Sequence, residues 1–256
     1  METLMPLHGP GIYYLDLPGT RKQPVFRSVF EYEYGLNILA HLSDTQLIAW
    51  LFTPDRIRCV VETRQEWPEL INEIQSQFAD QHEVIWRKHQ MVISEQSKAF
   101  AVEPKRLVEL VLQLHRTPVY EGLVPDAQLF QWSSDQVYRS QECPDWLARE
   151  RMLNQLSGNR HRQIHHYADA MESCPPPSLD LVRGTDSVYQ VIGGSKFIAL
   201  KRQYSNDQAN TNENDSSIED EYSNAASLVA SQLGITPAEL MNHQESPKIN
   251  ISQPKL

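Results

Sequence analysis

Two arginines stand two residues apart in the stretch TPDRIRCVV, Thr53–Val61, which otherwise has the composition of a buried strand. Because side chains alternate along a strand, Arg56 and Arg58 point to one face while Ile57 and Cys59 point to the other. A guanidinium offers paired donors to a phosphate, but it has no free acceptor with which to ligate a metal ion. The spacing therefore predicts either two solvated arginines on a half-exposed strand or a pair that holds a phosphate.

Other residues with chemical capacity are less well arranged. His161 and His165 have the i, i+4 spacing of a metal-binding pair on a helix. No obvious third ligand accompanies them, and arginines flank His161 on both sides, which favours a solvated helix face. The three cysteines show no C-x-x-C spacing, which argues against both a disulfide framework and a structural zinc site.

The charge of the chain is unevenly distributed. With 256 residues and 40% hydrophobic content the chain can form a substantial core, and its net charge of −10 argues against indiscriminate nucleic-acid binding. Residues 204–256 contain eight acidic and two basic residues, which leaves 25 acidic and 21 basic residues for the rest of the chain. This nearly balanced part can still carry a local basic groove.

The sequence predicts a cytoplasmic protein without a membrane partner. No run of eighteen apolar residues occurs, and the first residues lack the charged-then-apolar pattern of a secretory signal.

The predicted elements run strand, helix, strand, strand, helix, strand, helix. Apolar periodicity indicates strands over 11–17, 46–52, 56–62 and 98–103, and helices over 28–42, 67–86 and 104–116. A Thr-Pro-Asp turn joins the two central strands into a hairpin. This order predicts an α+β fold with a ferredoxin-like β-α-β-β-α-β core, an antiparallel sheet and C-terminal helices.

The chain is predicted to divide into five segments. A ferredoxin-fold domain covers residues 10–140, and a helical extension packed on this domain covers 141–203. The acidic segment 204–222 has too few apolar residues to form a core and is predicted to be a disordered linker. Helical periodicity resumes over 223–243 as a small helix-turn-helix-like appendage, and 244–256 is predicted to be a disordered tail.

Four segments resemble, in the same order, those of a known family. They are QPVFRSVFEYEYGLNILA (23–40), LIAWLFTPDRIRCVVET (47–63), LQLHRTPVYEGLVPDAQLFQWSSDQVYR (112–139) and VIGGSKFIAL (191–200). Together they resemble the single-tyrosine HUH transposases of insertion-sequence type, especially the REP-associated tyrosine transposase branch. The most specific matches are Gly122–Val124 and Trp132–Ser134.

The resemblance implies a chemistry and also its loss. In the family, two histidines on the central strand and a third ligand on a helix hold Mg²⁺ or Mn²⁺, and a tyrosine on that helix attacks a DNA phosphate. The histidine positions correspond to Arg56 and Arg58, the tyrosine position to Gln113 and the third-ligand position to Thr117. We therefore expect a degenerate active site, with no catalytic residue, no metal ligand and no cofactor, in a DNA-transposition protein that binds hairpin or single-stranded DNA.

Nine basic residues are candidates for contacts with DNA phosphates, although each alone is also typical of an ordinary surface. They are Arg21, Lys22, Arg27, Arg56, Arg58, Lys105, Arg106, Arg116 and Arg139. Trp132 is interpreted as part of a structural exit from the core rather than as a base-stacking platform. Tyr120 is a poor candidate for a displaced nucleophile, because Pro118 predicts that the helix ends before it.

Two further hypotheses remain open. An active transposase or nicking enzyme with unorthodox residues would need a metal site elsewhere in the chain. A protein-interaction or vestigial scaffold would contact a protein partner through the acidic segment and residues 223–241, and Arg56 and Arg58 would pair with local carboxylates. The side chains that surround the two arginines are the observation that bears most directly on these hypotheses.

Overall fold

The computed structural model describes residues 9–20, 24–87, 90–174, 191–201 and 203. These residues belong to one compact unit that extends to Ser205. The phosphate-contact candidates Arg21 and Lys22 lie outside the described residues. So do the predicted linker, the helical appendage and the tail, which all follow residue 203.

The element order agrees with the prediction. Strands β1 (Gly11–Pro18), β2 (Thr45–Thr53), β3 (Arg56–Thr63) and β4 (Lys98–Val102) alternate with helices α1 (Val29–Ala40) and α2 (Trp67–Trp86), and α3 (Leu107–Tyr120) follows. The strands are ordered β2-β3-β1-β4, and each neighbouring pair is antiparallel. This arrangement confirms the α+β, ferredoxin-like core.

Both edges of this sheet are paired with other parts of the chain. A two-residue strand, β5 (Val191–Ile192), lies parallel to β4, so the sheet is mixed rather than wholly antiparallel as predicted. Two residues are too short a run for a sequence pattern, but they satisfy backbone groups that edge strand β4 would otherwise leave unpaired. On the opposite edge, β2 forms isolated bridges with Ser133 and Leu147.

The remaining described helices follow α3. They are α4 (Asp135–Arg139), α5 (Glu150–Leu156) and α6 (Arg160–Ser173), with 3-10 turns at Pro104–Arg106 and Ala127–Leu129 and a helical stretch over 195–201. Contrary to the prediction, α3 continues past Pro118 and ends at Tyr120. The proline removes only its own N–H donor, and beyond it the Glu121 N–H still donates to the Thr117 oxygen at 2.9 Å. None of the described helices is long and apolar enough to span a membrane.

Helix α1 begins with a complete capping box. The Ser28 hydroxyl accepts a hydrogen bond from the Glu31 backbone, and the Glu31 side chain accepts one from the Ser28 backbone. Gly35, one turn further on, allows the helix to approach Phe26 and Phe78 closely. A Cβ atom at this position would lie 2.8 Å from a ring carbon of Phe26 and 3.1 Å from one of Phe78.

We expect Gly35→Ala to destabilise the protein although alanine favours helices. Overpacking a tight core contact costs about 1–3 kcal/mol, against about 1 kcal/mol gained from helix propensity. Urea denaturation should therefore show a net loss in the free energy of unfolding. Gly158→Ala is the matched control, since a Cβ there would meet nothing within 4 Å; equal stability of the two variants would contradict the close packing at Gly35.

Candidate functional site

The central hairpin presents Arg56 and Arg58 on the same face of β3, as the alternation predicts. Between them Ile57 is fully buried on the opposite face. The register of β1 against β3 sets Asp16 opposite Arg58 and Pro18 opposite Arg56. Side chains of one β1 residue and two β3 residues are thereby brought together.

Both arginines form ion pairs with carboxylates. Nη1 of Arg56 donates to both oxygens of Asp16, at 3.0 and 2.8 Å. Nη2 of Arg58 lies 2.8 Å from Oε1 of Glu121, the residue after α3, and its Nε lies 3.8 Å from Oδ1 of Asp16. These four residues, Asp16, Arg56, Arg58 and Glu121, are called the ion cluster below.

The charges within the ion cluster balance, with two guanidinium groups and two carboxylates. The Arg56 side chain is 31% exposed and that of Arg58 only 16%. Burial alone would lower the pKa of Arg58, but the carboxylates of Glu121 and Asp16 raise it above its ordinary value, so the guanidinium stays charged. Nη1 of Arg58 is buried and has no hydrogen-bond partner among the described residues.

The two α3 positions that correspond to the family's tyrosine and third metal ligand, Gln113 and Thr117, hold neither a nucleophile nor a metal ligand. Gln113 is 5% exposed, and an amide side chain provides no attacking oxygen. Thr117 donates its hydroxyl to the backbone oxygen of Gln113 at 2.9 Å. The set Arg56, Arg58, Gln113 and Thr117 therefore does not fit a divalent cation. In the described ranges no three His, Cys, Asp or Glu side chains are grouped to hold one.

Two tyrosines near this face are not activated. Tyr14 is buried on β1, two residues before Asp16, and burial together with the Asp16 carboxylate raises its pKa above the ordinary value. Tyr120, at the end of α3, also has its pKa raised by burial, although Arg116 acts in the opposite direction. Raised pKa values keep both phenols protonated, whereas a nucleophilic tyrosine requires an easily formed phenolate.

A buried hydrogen-bond chain lies behind α3. Nδ1 of His115 is 2.7 Å from the Tyr167 hydroxyl, which donates to Oδ1 of Asp135 at 2.5 Å. Nε2 of His115 is 2.6 Å from the Ser134 hydroxyl, and the Trp50 backbone N–H donates to that hydroxyl at 3.0 Å. Because Tyr167 gives its proton to Asp135, His115 must donate from Nδ1 and accept from Ser134 at Nε2.

This hydrogen-bond chain links elements that are distant in sequence, and a substrate cannot reach it. His115, Ser134 and Asp135 are all fully buried, so the Ser134–His115 pair cannot act as a nucleophile and base. Arg139 completes the chain by donating from Nε to both oxygens of Asp135, at 3.2 and 3.0 Å. The arrangement positions α3, α4 and α6 relative to the hairpin.

Burial of neutral His115 makes the stability of the fold depend on pH. Desolvation lowers its pKa from 6.5 to about 4, with Asp135 opposing that shift and Arg139 adding to it. Between these values the unfolded chain binds a proton that the folded protein does not, so stability falls as the pH falls from 6.5 to 4. The loss attributable to this histidine is about 3 kcal/mol.

Urea denaturation at several pH values checks this prediction. His115→Gln should be less stable than the wild type near neutral pH and should lose part of the decline on acidification. His41→Gln, which changes an exposed histidine, should retain the full decline. A wild type whose stability is flat across this range would contradict a neutral buried imidazole.

The other basic candidates in the described residues also have partners within the chain. Lys105 pairs with Glu103 at 2.6 Å, Arg106 with Glu109 at 2.8 Å and Arg139 with Asp135. Arg116 donates to the backbone oxygen of Met171 and shares with Arg139 a cavity of about 250 Å³. Arg27 lies with its guanidinium carbon 5.2 Å from the ring centroid of Trp86. The structure thus brings together Arg56 with Arg58, and Arg116 with Arg139.

The remaining candidates from the sequence are Trp132 and the two histidines of α6. Trp132 stacks on Tyr32 with ring centroids 4.4 Å apart, and Tyr32 stacks in turn on Phe26 at 4.4 Å. Trp132 is therefore the outer member of a column of rings that leads into the core. His161 and His165 both lie exposed on α6, and within the described part of the chain they belong to no group of three possible metal ligands.

One hypothesis from the sequence pairs the two arginines with local carboxylates, but sequence reasoning did not identify Asp16 and Glu121 as those carboxylates. Asp16 could have been suspected, because it is the only charged residue within strand β1. Its placement opposite Arg58 depends on the strand register, which a single strand does not specify. Glu121 gives no such signal, since it follows a helix whose end was predicted too early.

Comparison with known proteins gave two partial matches. No protein-family model and no curated protein matches the chain. One similar solved structure is a REP-associated tyrosine transposase bound to a REP hairpin, at 14% identity and a TM-score of 0.45, covering 55% of this chain and 86% of that one. Another is a bacterial tRNA(His) guanylyltransferase-like protein in complex with ATP, at 8% identity and a TM-score of 0.29, covering 48% of this chain and 66% of that one. Both likenesses are partial likenesses of fold, and neither assigns the chain to a family.

Proposed function

We propose that this chain is a transposase-like protein that binds hairpin or single-stranded DNA without cutting it. It uses no divalent metal and forms no covalent link to DNA. The proposal combines the resemblance in sequence with the chemistry of the residues at the corresponding positions.

The observation that carries the proposal is the ion cluster. Arg58 stands where the resemblance implies a metal ligand, and its guanidinium pairs with Glu121 at the end of α3, the helix that would carry the nucleophile. The guanidinium of Arg58, a cation fixed on the protein, therefore occupies a region in which catalysis by the family would require an exchangeable metal ion. Cleavage is thereby lost, while the fold that would support DNA binding is retained.

A second candidate function, the protein-interaction scaffold, is favoured by the same cluster. Because Asp16 and Glu121 neutralise Arg56 and Arg58, a phosphate must compete with two carboxylates for these guanidinium groups. Under this hypothesis, deletion of residues 204–256 abolishes binding to a protein partner and leaves any DNA binding unchanged.

Gel mobility shifts with the full chain test the proposed function. Hairpin, single-stranded and duplex DNA of equal length should be compared over a range of salt concentrations. We expect shifts with hairpin and single-stranded DNA that weaken as salt rises, because phosphate contacts release counterions. Absence of binding to every probe at low salt would exclude DNA binding and leave the scaffold hypothesis.

A cleavage assay tests the second half of the proposal. Labelled hairpin DNA incubated with the chain and Mg²⁺ or Mn²⁺ should give neither a nicked product nor a covalent protein–DNA adduct. An adduct that survives denaturation would show an active nicking enzyme with unorthodox residues.

A further inference from the structure

Two segments of this acidic protein contain basic residues and no acidic ones. Residues 18–30, PGTRKQPVFRSVF, include three Lys or Arg, and residues 84–94, VIWRKHQMVIS, include two together with a histidine. Local positive charge of this kind is complementary to a polyanion.

The fold joins these two segments. The backbone N–H of Thr20 donates to the oxygen of Val92 at 2.9 Å, next to a bridge between Gly19 and Ile93. At the other end, the Arg27 guanidinium lies over the Trp86 ring. A cleft of about 850 Å³ opens between the segments, and its lining includes the ion-cluster residue Arg56 together with the acidic residues Asp55 and Glu95.

Each of the two joined segments exposes a large aromatic side chain. Phe30 is 57% exposed and Trp86 is 47% exposed. Trp86 is held in place, because its indole Nε1 donates to Oε1 of Glu31 at 2.9 Å. The other Glu31 oxygen accepts the backbone N–H groups of Arg27 and Ser28, which ties the ring to the start of α1. Arg27, Phe30 and Trp86 are called the aromatic face below.

We propose that the aromatic face binds single-stranded nucleic acid by stacking unpaired bases on Trp86 and Phe30. This inference rests on the proposed DNA-binding function and adds the contact surface and the form of the ligand. Every base has a π-face, so stacking on aromatic rings holds single strands without demanding a sequence, and an arginine beside the rings adds attraction for the backbone. A duplex offers no free base faces and would use only the positive charge.

The occupant follows from charge as well as from shape. Exposed aromatic rings alone would suit a protein partner or a second copy of the chain. A second copy would bring its own Arg27 and Arg87 against the same two side chains, which like-charge repulsion opposes. Nucleic acid satisfies both the rings and the Arg27 guanidinium beside them.

Fluorescence anisotropy with the full chain tests the aromatic face. The probes are a labelled oligothymidylate and an abasic oligonucleotide of the same length, which carries the same phosphates without bases. We expect Phe30→Ala with Trp86→Ala to weaken oligothymidylate binding about tenfold or more, because removing an aromatic platform typically has an effect of this size. Binding of the abasic probe should not change.

Two further variants separate stacking from folding. Trp86→Phe keeps a ring but loses the indole donor, so it should retain most of the affinity. Leu129→Ala, at an apolar residue that is 65% exposed outside the aromatic face, should bind as the wild type does. Circular dichroism establishes that each variant is folded. If the double variant does not fold, Phe30→Ala alone provides the test, since that side chain is mostly exposed.

The outcomes distinguish this inference from the proposed function. If the wild type binds the oligothymidylate and the folded double variant binds it equally well, the aromatic face is overturned and DNA binding stands. If the wild type binds neither these probes nor hairpin DNA at low salt, both are overturned, whereas binding of hairpin DNA alone overturns the aromatic face and leaves the proposed function standing. Sedimentation of the wild type as a dimer that the double variant dissociates, with no change in oligonucleotide affinity, would assign the face to a second copy of the chain and overturn the inference.

Discussion

Asp135→Ala is expected to lower the free energy of unfolding by about 3–5 kcal/mol, the typical cost of removing one member of a buried charge pair. Asp135 is fully buried and accepts hydrogen bonds from Tyr167 and Arg139. Without it, the Tyr167 hydroxyl loses its acceptor and the half-buried Arg139 guanidinium loses its counterion. His115 is affected next, because its partner at Nδ1 is that same hydroxyl.

Chemical denaturation of Asp135→Ala beside the wild type measures this loss. Gln136→Ala is the matched control on the same short helix, since Gln136 is exposed and makes one surface hydrogen bond, to the backbone of Gln128. We expect the control to stay within about 0.5 kcal/mol of the wild type. A similarly small change for Asp135→Ala would mean that the buried chain does not determine the packing of α4 and α6.

The second large effect is a gain of metal binding in Arg56→His with Arg58→His. The wild type should show no binding of Mn²⁺ at this place, because guanidinium groups cannot ligate a cation and repel it. The double variant replaces them with two imidazoles on one strand face and releases Asp16 and Glu121 from their ion pairs. Imidazole and carboxylate are both accepted ligands of divalent transition metals, so a site should form.

Calorimetric titration with Mn²⁺ measures this gain. Arg56→Lys with Arg58→Lys is the control, since it keeps the positive charges without adding ligands, and it should bind no metal. Adding Thr117→Asn and Gln113→Tyr tests the helix positions, although tyrosine must be accommodated where Gln113 is nearly buried. Metal binding should return before cleavage does, because in-line attack on phosphorus tolerates little misplacement.

A folded variant with Arg56→His and Arg58→His that binds no Mn²⁺ would contradict the correspondence between these two positions on β3 and the family's metal ligands. It would mean that Arg56 and Arg58 do not stand at metal-ligand positions, and the description of the ion cluster as a replaced active site would have to be withdrawn.

The sequence was sufficient for the core elements because their signals are local. The Thr-Pro-Asp turn and the alternation around Arg56 and Arg58 specify a hairpin, and β2 and β3 form one as predicted. The partners of the arginines were not predictable in the same way. Asp16 is forty residues away from Arg56, and its position depends on a register that only the folded sheet determines.

Strand β5 and the buried hydrogen-bond chain around His115 could not be predicted from the sequence either, for other reasons. Two residues carry no period, so Val191–Ile192 cannot be distinguished from a loop in the sequence. His115 and Tyr167 are fifty-two residues apart, and a lone histidine on an apolar helix face gives no indication of which hydroxyl it will meet. For Arg58, pairing with local carboxylates was one of the hypotheses, but which carboxylates these are depends on the folded structure.

The paired edges of the sheet restrict how another polypeptide can attach to this domain. Besides β5 on one side, the outer edge of β2 is hydrogen-bonded by the Ser134 and Ala148 backbone N–H groups, which donate to the oxygens of Trp50 and Leu47. An incoming peptide that adds a strand needs a free row of backbone donors and acceptors, and the same free row seeds edge-to-edge aggregation. Where the chain already fills these rows, a foreign strand must first displace β5 or the segments around Ser134 and Ala148. Recognition of this domain by other macromolecules is therefore directed toward its side-chain surfaces and away from β-augmentation.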